Sequence, residues 1–374
     1  MRSTGIATIA VVTLALAHPT DAQLSKVFEK AQKELKKVEA TQDRLAVSQA
    51  EEEQIGADVS ARIRERFGVV QDRAIHTYVT EVGLLLAHES SRPGLPWKFI
   101  VLDTDGVNAF ASPGGFIHVT RGALALIRNE SELAGVLGHE ITHVAEKHTI
   151  NAIQKNKAVQ LATEKAGGNK REIISAITNK TYEMVIENSF DRGDEREADG
   201  KGVRLAARLG YAPAGLAEFL ARLADRNKDQ GERNGLFASH PETKERISAI
   251  RAETAGLDRG ALVAARYTSI IRWQPKEITE VPQASAGSAG LAGGSSKSST
   301  AQQPKPAEQP KKKGFGLDAL KKTVSQESQS AQVSASGGAR GVGPDRNAQG
   351  GPNPTPVVVT VTSAELAAFK KGIA

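Results

Sequence analysis

The sequence predicts an α+β fold, in which a mainly helical domain with one small sheet is followed by a disordered tail. Apolar residues recur at helical spacing through most of residues 23–251. Three short runs of β-branched and aromatic residues lie between residues 97 and 120, which favours a small sheet. After residue 280 the composition changes to Ser, Gly, Ala, Gln, Pro and Lys, a mixture too polar to bury a core.

The first 22 residues have the features of a cleavable signal peptide. Arg2 precedes a mostly apolar run at 5–17, and small residues allow cleavage after Ala17 or after Ala22. This run is shorter than the roughly 20 residues that span a bilayer, which disfavours an uncleaved anchor. We expect a periplasmic protein with no integral membrane segment once the signal is removed.

Periodicity and composition divide the rest of the chain into four segments. The second, from residue 51 to 256, carries the motifs discussed below. In the last segment, Val357–Val359 favours a strand, and Thr362 with Glu365 resembles a capping box that opens a short helix. The four segments are an amphipathic helix at 23–50, the main domain at 51–256, an extension at 257–282, and a low-complexity basic tail at 283–374 with a short ordered C-terminal element.

Helices and strands within the main domain are predicted from their end signals. A helix is expected from about Glu52 to Phe67, and a second one is expected to begin after Asp72, a favourable N-cap. The strand-like runs are Trp97–Leu102, Val107–Ala111 and Phe116–Thr120. Because Ser-Pro-Gly-Gly separates the last two, we expect them to form a hairpin-like pair.

Charge and cysteine content exclude several classes of function. The net charge of +6 lies entirely in the tail, where residues 283–374 hold eleven Lys and Arg against five Asp and Glu. We therefore expect no nucleic-acid binding, and only a weak attraction of the tail to anionic surfaces. The chain has no cysteine, so any zinc site must use imidazole and carboxylate ligands.

The strongest motif is H-E-x-x-H at residues 139–143. Asn129 can cap the helix that carries it, and apolar residues repeat along its core-facing side. Residues four apart on a helix lie one above the other, so His139 and His143 can both reach one metal ion. Glu140 follows the first histidine directly and is positioned to act on water beside the metal.

The third ligand is predicted among Glu195 and Asp199, which lie four residues apart on one helix. One carboxylate can bind the metal while the other accepts a hydrogen bond from a ligand imidazole. Glu197 points about 200° away from Glu195 and is a poor ligand. His148 follows His143 by five residues and is predicted to be structural. Arg192 and Arg246 are expected to brace carboxylates near the site.

Four motifs in one order carry a resemblance to a known family. They are Asn-Ala-Phe-Ala-x-Pro-Gly-Gly from Asn108, H-E-x-x-H, Arg-x-x-Glu-x-Glu-Ala-Asp from Arg192, and Ser-His-Pro from Ser239. Together they resemble the HtpX-like zinc peptidases, gluzincins that include CAAX prenyl endopeptidases and BepA-like periplasmic proteases. The resemblance covers roughly residues 51–252. The chain lacks the transmembrane helices of some members and shows no helical-repeat domain after the peptidase segment.

The resemblance implies a zinc endopeptidase with one zinc per chain, Glu195 as ligand and Asp199 beside the ligands. Glu140 would be the catalytic base. Asn108, Ala109 and Phe110 are predicted to bind substrate by pairing a strand edge with an extended peptide. The expected substrates are unfolded or misassembled envelope proteins, with outer-membrane assembly components as candidate partners.

Two functions other than a peptidase are consistent with part of this pattern. A non-proteolytic periplasmic chaperone or scaffold could keep the metal fold, but it has no need of Glu140 beside the metal. An iron oxygenase also uses two histidines and one carboxylate, and it likewise gives that glutamate no role.

His240 is a further candidate, because it directly precedes Pro241 at the start of a predicted helix. It could donate a hydrogen bond to the developing oxyanion, or bind the metal as a fourth ligand in a resting state; we favour the second role. A capping histidine with no contact to the metal is the third possibility.

Overall fold

The computed structural model describes residues 46–156, 159, 169–187, 190–227, 243–276 and 353–373. The predicted signal peptide at 1–22, most of the predicted helix at 23–50, and His240 lie outside the described residues. Among the described helices, none is both long enough and apolar enough to cross a bilayer. The predicted α+β class is confirmed, since helices surround one three-stranded sheet.

Two capped helices open the described domain. Helix α1 spans Gln49–Phe67 and starts three residues before its predicted start. The reason is a capping box, in which Ser48 and Glu51 exchange side-chain and backbone hydrogen bonds. Helix α2 spans Arg73–His88, and the Asp72 side chain accepts hydrogen bonds from the first N–H groups, which confirms the predicted cap.

The sheet has the strand order β1–β3–β2. Strand β2 (Ala109–Ser112) pairs antiparallel with β3 (Phe116–Thr120), so the predicted hairpin is confirmed. The tight turn between them includes Gly114, whose φ of 72° suits glycine. Strand β1 (Lys98–Leu102) pairs parallel with β3, which leaves β2 at one edge of the described sheet.

Helix α4 is the centre of the domain. After the short helix α3 (Arg121–Leu126), the Asn129 side chain accepts a hydrogen bond from the Glu132 N–H and starts α4 (Glu130–Ala145). Every residue of α4 is buried. It packs against α2 and against two later helices, α7 (Arg192–Arg208) and α8 (Gly215–Asn227).

The remaining helices pack either on α4 or on the elements next to it. Helix α5 follows it almost directly, and α7 begins at an Asp191 cap whose side chain accepts hydrogen bonds from Gly193 and Asp194. Helix α6 packs against α1, α5 and β2. Their bounds are α5 His148–Gln154, α6 Lys170–Glu187, α7 Arg192–Arg208, α8 Gly215–Asn227 and α9 Thr243–Thr254.

The C-terminal element returns to the domain as a helix. After α10 (Ala264–Ile270), helix α11 spans Ser363–Lys371 and begins with the predicted capping box of Thr362 and Glu365. Leu366 and Ile373 are buried in the main core. The predicted strand at 357–359 is wrong: Val358 faces solvent, and this stretch pairs with no described strand.

Candidate metal centre

A close crossing of α4 and α7 brings the predicted ligands together. A Cβ atom on Gly138 would lie 2.7 Å from the carbonyl oxygen of Gly202, and one on Gly202 would lie 2.7 Å from the His139 nitrogen. Real Cβ contacts are longer than this, so only glycine fits at both positions. The two backbones therefore meet next to His139, which lets short carboxylate side chains of α7 reach the imidazoles of α4.

The structure places His139, His143 and Glu195 around one point. Nε2 of His139 lies 3.1 Å from Nε2 of His143. The Glu195 carboxylate oxygens lie 3.6 Å from Nε2 of His139 and 3.5 Å from Nε2 of His143. All three side chains are buried, and they form the one cluster among the described residues that could hold a metal ion.

These distances fit zinc. Donor atoms about 2.1 Å from a tetrahedral ion lie roughly 3.4 Å from one another. The three measured separations fall close to that value without any movement of the side chains. Two imidazoles and one carboxylate are also a donor set that catalytic zinc uses, and they leave a fourth position for water or substrate.

Glu140 is buried beside this cluster and belongs to the same helix as both histidines. Its negative charge reaches Arg246 together with the charges of Asp199 and Glu195. Burial alone would lower the pKa of Arg246, but hydrogen bonding to Asp199 and these three charges raise it above the ordinary value. Arg246 therefore stays cationic in the centre of the site.

Asp199 orients the first histidine. Its Oδ1 lies 2.9 Å from Nδ1 of His139, so the carboxylate holds the imidazole nitrogen that faces away from the cluster. Arg246 donates two hydrogen bonds to Asp199, at 2.8 and 2.7 Å, and a third contact at 2.9 Å reaches Glu195. Burial would raise the pKa of Asp199, yet Arg246 and His139 lower it to about 2.

Two aromatic rings surround the second histidine. Phe190 stacks on His143 with ring centroids 4.0 Å apart. Nδ1 of His148 lies 3.0 Å from Nδ1 of His143, on the side away from the cluster. The sequence did not predict the contact of Phe190, and it predicted only a structural role for His148. Spacing could not reveal either contact, because both depend on how chain segments outside α4 fold back.

The residues of the predicted substrate strand are buried, and the two predicted arginines differ in their positions. Asn108, Ala109 and Phe110 are buried, at the start of edge strand β2. Their role in substrate binding stays a prediction. Arg246 lies on α9 and binds both carboxylates, whereas Arg192 is the exposed first residue of α7. The role of His240 also stays a prediction.

The residues that form this site lie in a region that resembles known proteins. Residues 73–254 match Peptidase family M48. The chain carries a Peptidase family M48 domain. This confirms the predicted resemblance to HtpX-like and BepA-like gluzincins, and the matched range includes the histidine pair, Glu195, Asp199 and Arg246. The predicted enzyme class, a metalloendopeptidase, is confirmed at the level of the family.

Three relatives match part of this chain, and each extends beyond the matched part. The chain is 27% identical over 204 residues to the beta-barrel assembly-enhancing protease of Yersinia pestis, covering 51% of this chain and 41% of the relative. It is 32% identical over 161 residues to the metalloprotease LoiP of Escherichia coli K12, covering 42% and 63%. It is 27% identical over 173 residues to the mitochondrial metalloendopeptidase OMA1 of Schizosaccharomyces pombe, covering 46% and 51%. The match thus spans less than two thirds of each relative.

Proposed function

We propose that the chain is a periplasmic zinc endopeptidase that hydrolyses peptide bonds in unfolded or misassembled envelope proteins. The observation that carries the proposal is the buried cluster of His139, His143 and Glu195, with Glu140 beside it on the same helix. The name of the Yersinia relative, which refers to β-barrel assembly, supports outer-membrane assembly components as partners. The signal-like residues 1–22 support the location.

The division of labour among the side chains follows from their positions. His139, His143 and Glu195 would hold zinc, which acts as a Lewis acid on the scissile carbonyl and lowers the pKa of water. Glu140 takes a proton from the attacking water and delivers it to the leaving amine. Asp199 and Arg246 fix the ligand side chains, because both are buried and joined by paired hydrogen bonds.

Replacement of Glu140 tests this mechanism. We expect Glu140→Gln to keep about one zinc per chain and to lose roughly 10²-fold or more in rate on an unfolded model protein. Glu195→Gln is the matched control, since it should lose zinc affinity as well as activity. Zinc content and peptide-bond cleavage are measured on the same preparations. Full activity of Glu140→Gln would contradict the mechanism.

The same variant separates the peptidase from a chaperone or scaffold. Glu140→Gln expressed in the periplasm should retain bound substrates, and we expect unfolded or misassembled envelope proteins among them. A wild-type protein that carries zinc, binds such clients and cleaves none of them would instead support the non-proteolytic function.

A further inference from the structure

A buried polar chain extends from His143 away from the metal cluster. Nδ1 of His148 lies 3.0 Å from Nδ1 of His143, and Nε2 of His148 lies 3.3 Å from a carboxylate oxygen of Glu197. Glu197 in turn pairs with Lys201 at 2.7 Å. The His148 side chain is only 3% exposed, whereas Glu197 reaches the surface. The chain therefore joins a candidate zinc ligand to a carboxylate at the edge of solvent.

The geometry points to His148 as a positioning residue, which fixes the proton and the ring orientation of His143 for zinc. This proposal rests on the zinc site proposed above. Because Nε2 of His143 faces the cluster, its Nδ1 must carry the proton. Nδ1 of His148 is then the acceptor, and the proton of His148 resides on Nε2, where Glu197 accepts it.

The two ligand histidines thus have different partners. His139 is held by the buried carboxylate of Asp199, which is itself held by Arg246. His143 is held by the imidazole of His148, and the carboxylate of Glu197 contacts the other nitrogen of that ring. Glu197 is itself paired with Lys201 at 2.7 Å, so the hydrogen-bonded series ends in an ion pair at the surface.

A strained residue places His148 in this position. Lys147 has φ 58° and ψ 31°, a left-handed conformation that is sterically unfavourable for a non-glycine residue. It reverses the chain between α4 and α5, which turns His148 back over His143, one of the last residues of α4. Strain of this kind persists where the surroundings enforce it, commonly at functional sites.

Zinc affinity provides the first test. We expect His148→Leu to weaken zinc binding 10- to 100-fold in a chelator competition, the range typical for loss of a partner behind a metal ligand. His148→Asn should restore most of the affinity, because its amide oxygen can accept a hydrogen bond near the former Nδ1. His88→Leu is the matched control: His88 is an exposed histidine at the end of α2, and its loss should leave zinc binding unchanged.

The position of the proton provides a second test, which is read from the wild-type protein. In a long-range ¹H–¹⁵N spectrum of zinc-loaded, histidine-labelled wild type, His148 should carry its proton on Nε2. Its signals are assigned by their absence in His148→Asn. A proton on Nδ1 of His148, or zinc affinity of His148→Leu equal to wild type, would overturn the proposal. A wild type that binds no zinc would overturn the metal site itself, and the positioning role with it.

Discussion

The buried charges at the two ends of α4 have different surroundings. At the N-terminal end, Glu130 is completely buried and accepts hydrogen bonds from the hydroxyl groups of Tyr78 and Tyr211 and from the guanidinium of Arg266. At the C-terminal end, Glu195 and two imidazoles face a common point that suits a cation. One end uses its polar groups to hold protein segments together, and the other directs them towards a ligand.

The two ends of α4 also differ in how far apart in the sequence their interacting residues lie. The partners of Glu130 lie 52, 81 and 136 residues away. The metal cluster, by contrast, draws two of its three members from one helical turn. Arg266 also donates to the Phe369 carbonyl, so the N-terminal end of α4 is linked to α11. We infer that this end stabilises the fold, whereas the other end carries the chemistry.

Removal of the Glu130 carboxylate should have the largest effect on stability. Glu130→Ala leaves Arg266 and two tyrosine hydroxyls without their acceptor, and breaking a buried ion pair in this way costs about 3–5 kcal/mol. We expect zinc affinity to stay unchanged, because His139 lies nine residues further along the helix, about 14 Å away. Urea unfolding and chelator competition measure the two quantities.

Glu183→Ala is the control for Glu130→Ala. Glu183 is an exposed carboxylate on α6 that pairs with Lys180, so its loss should change the free energy of unfolding by less than about 0.5 kcal/mol. Weaker zinc binding by the folded Glu130→Ala protein would contradict this comparison, because it would show that the two ends of α4 are coupled.

The site could be predicted because its ligands follow short spacings. His139 and His143 are four apart on one helix, and Glu195 and Asp199 are four apart on another. Their meeting required a contact between helices, which spacing alone does not give. The close approach of Gly138 and Gly202 provides it. The positions of Phe190 and His148 were not predicted, because Phe190 lies in a loop and His148 follows a chain reversal. The four-residue spacings reveal neither feature.

The fold was predictable to the extent that its signals are local. Caps at Asp72, Asn129 and Thr362 correctly indicated where helices begin. The parallel pairing of β1 with β3 and the return of α11 to the core have no local signal. Val357–Val359 had a strand-like composition, but the hydrogen bonds of this segment to the domain come from Asn353 and its neighbours instead.

Deletion of residues 353–374 should have an intermediate effect. Leu366 and Ile373 are buried, and Phe369 contacts both Tyr78 and Arg266. Burial of such side chains contributes about 1.5–3 kcal/mol each, but ordering the segment costs much of that, so we expect a net loss of roughly 2 kcal/mol. Phe369→Ala in the full-length chain is the matched smaller change. Thermal unfolding of the shortened chain at an unchanged midpoint would show that the segment adds no stability.

His118 offers a pH-dependent test of the same distinction between stabilising and catalytic polar groups. It lies on β3, fully buried, and its Nε2 is 2.9 Å from the Ser60 hydroxyl. Burial is the main cause that lowers the pKa of His118 to about 3; the charge of Arg64 adds to the effect, and a hydrogen bond involving the Phe110 backbone opposes it. The folded protein therefore keeps this histidine neutral at pH values where the unfolded chain protonates it.

The consequence for stability has a definite sign. Between pH 3 and about 6.5 the unfolded chain binds a proton at His118 that the folded chain does not, so acidification favours unfolding. The contribution of His118 to stability is complete above about pH 6.5 and is lost by at most about 1.4 kcal/mol per pH unit below it.

His118→Gln can keep a hydrogen bond to Ser60 but cannot titrate. Its free energy of unfolding should therefore fall less steeply than that of the wild type, by about 1 kcal/mol per pH unit, from pH 6.5 to 5. Urea unfolding of both proteins across this range measures the difference, and the histidines of the candidate metal centre contribute equally because both proteins contain them. Equal slopes would mean that His118 is protonated in the folded protein as readily as in the unfolded chain.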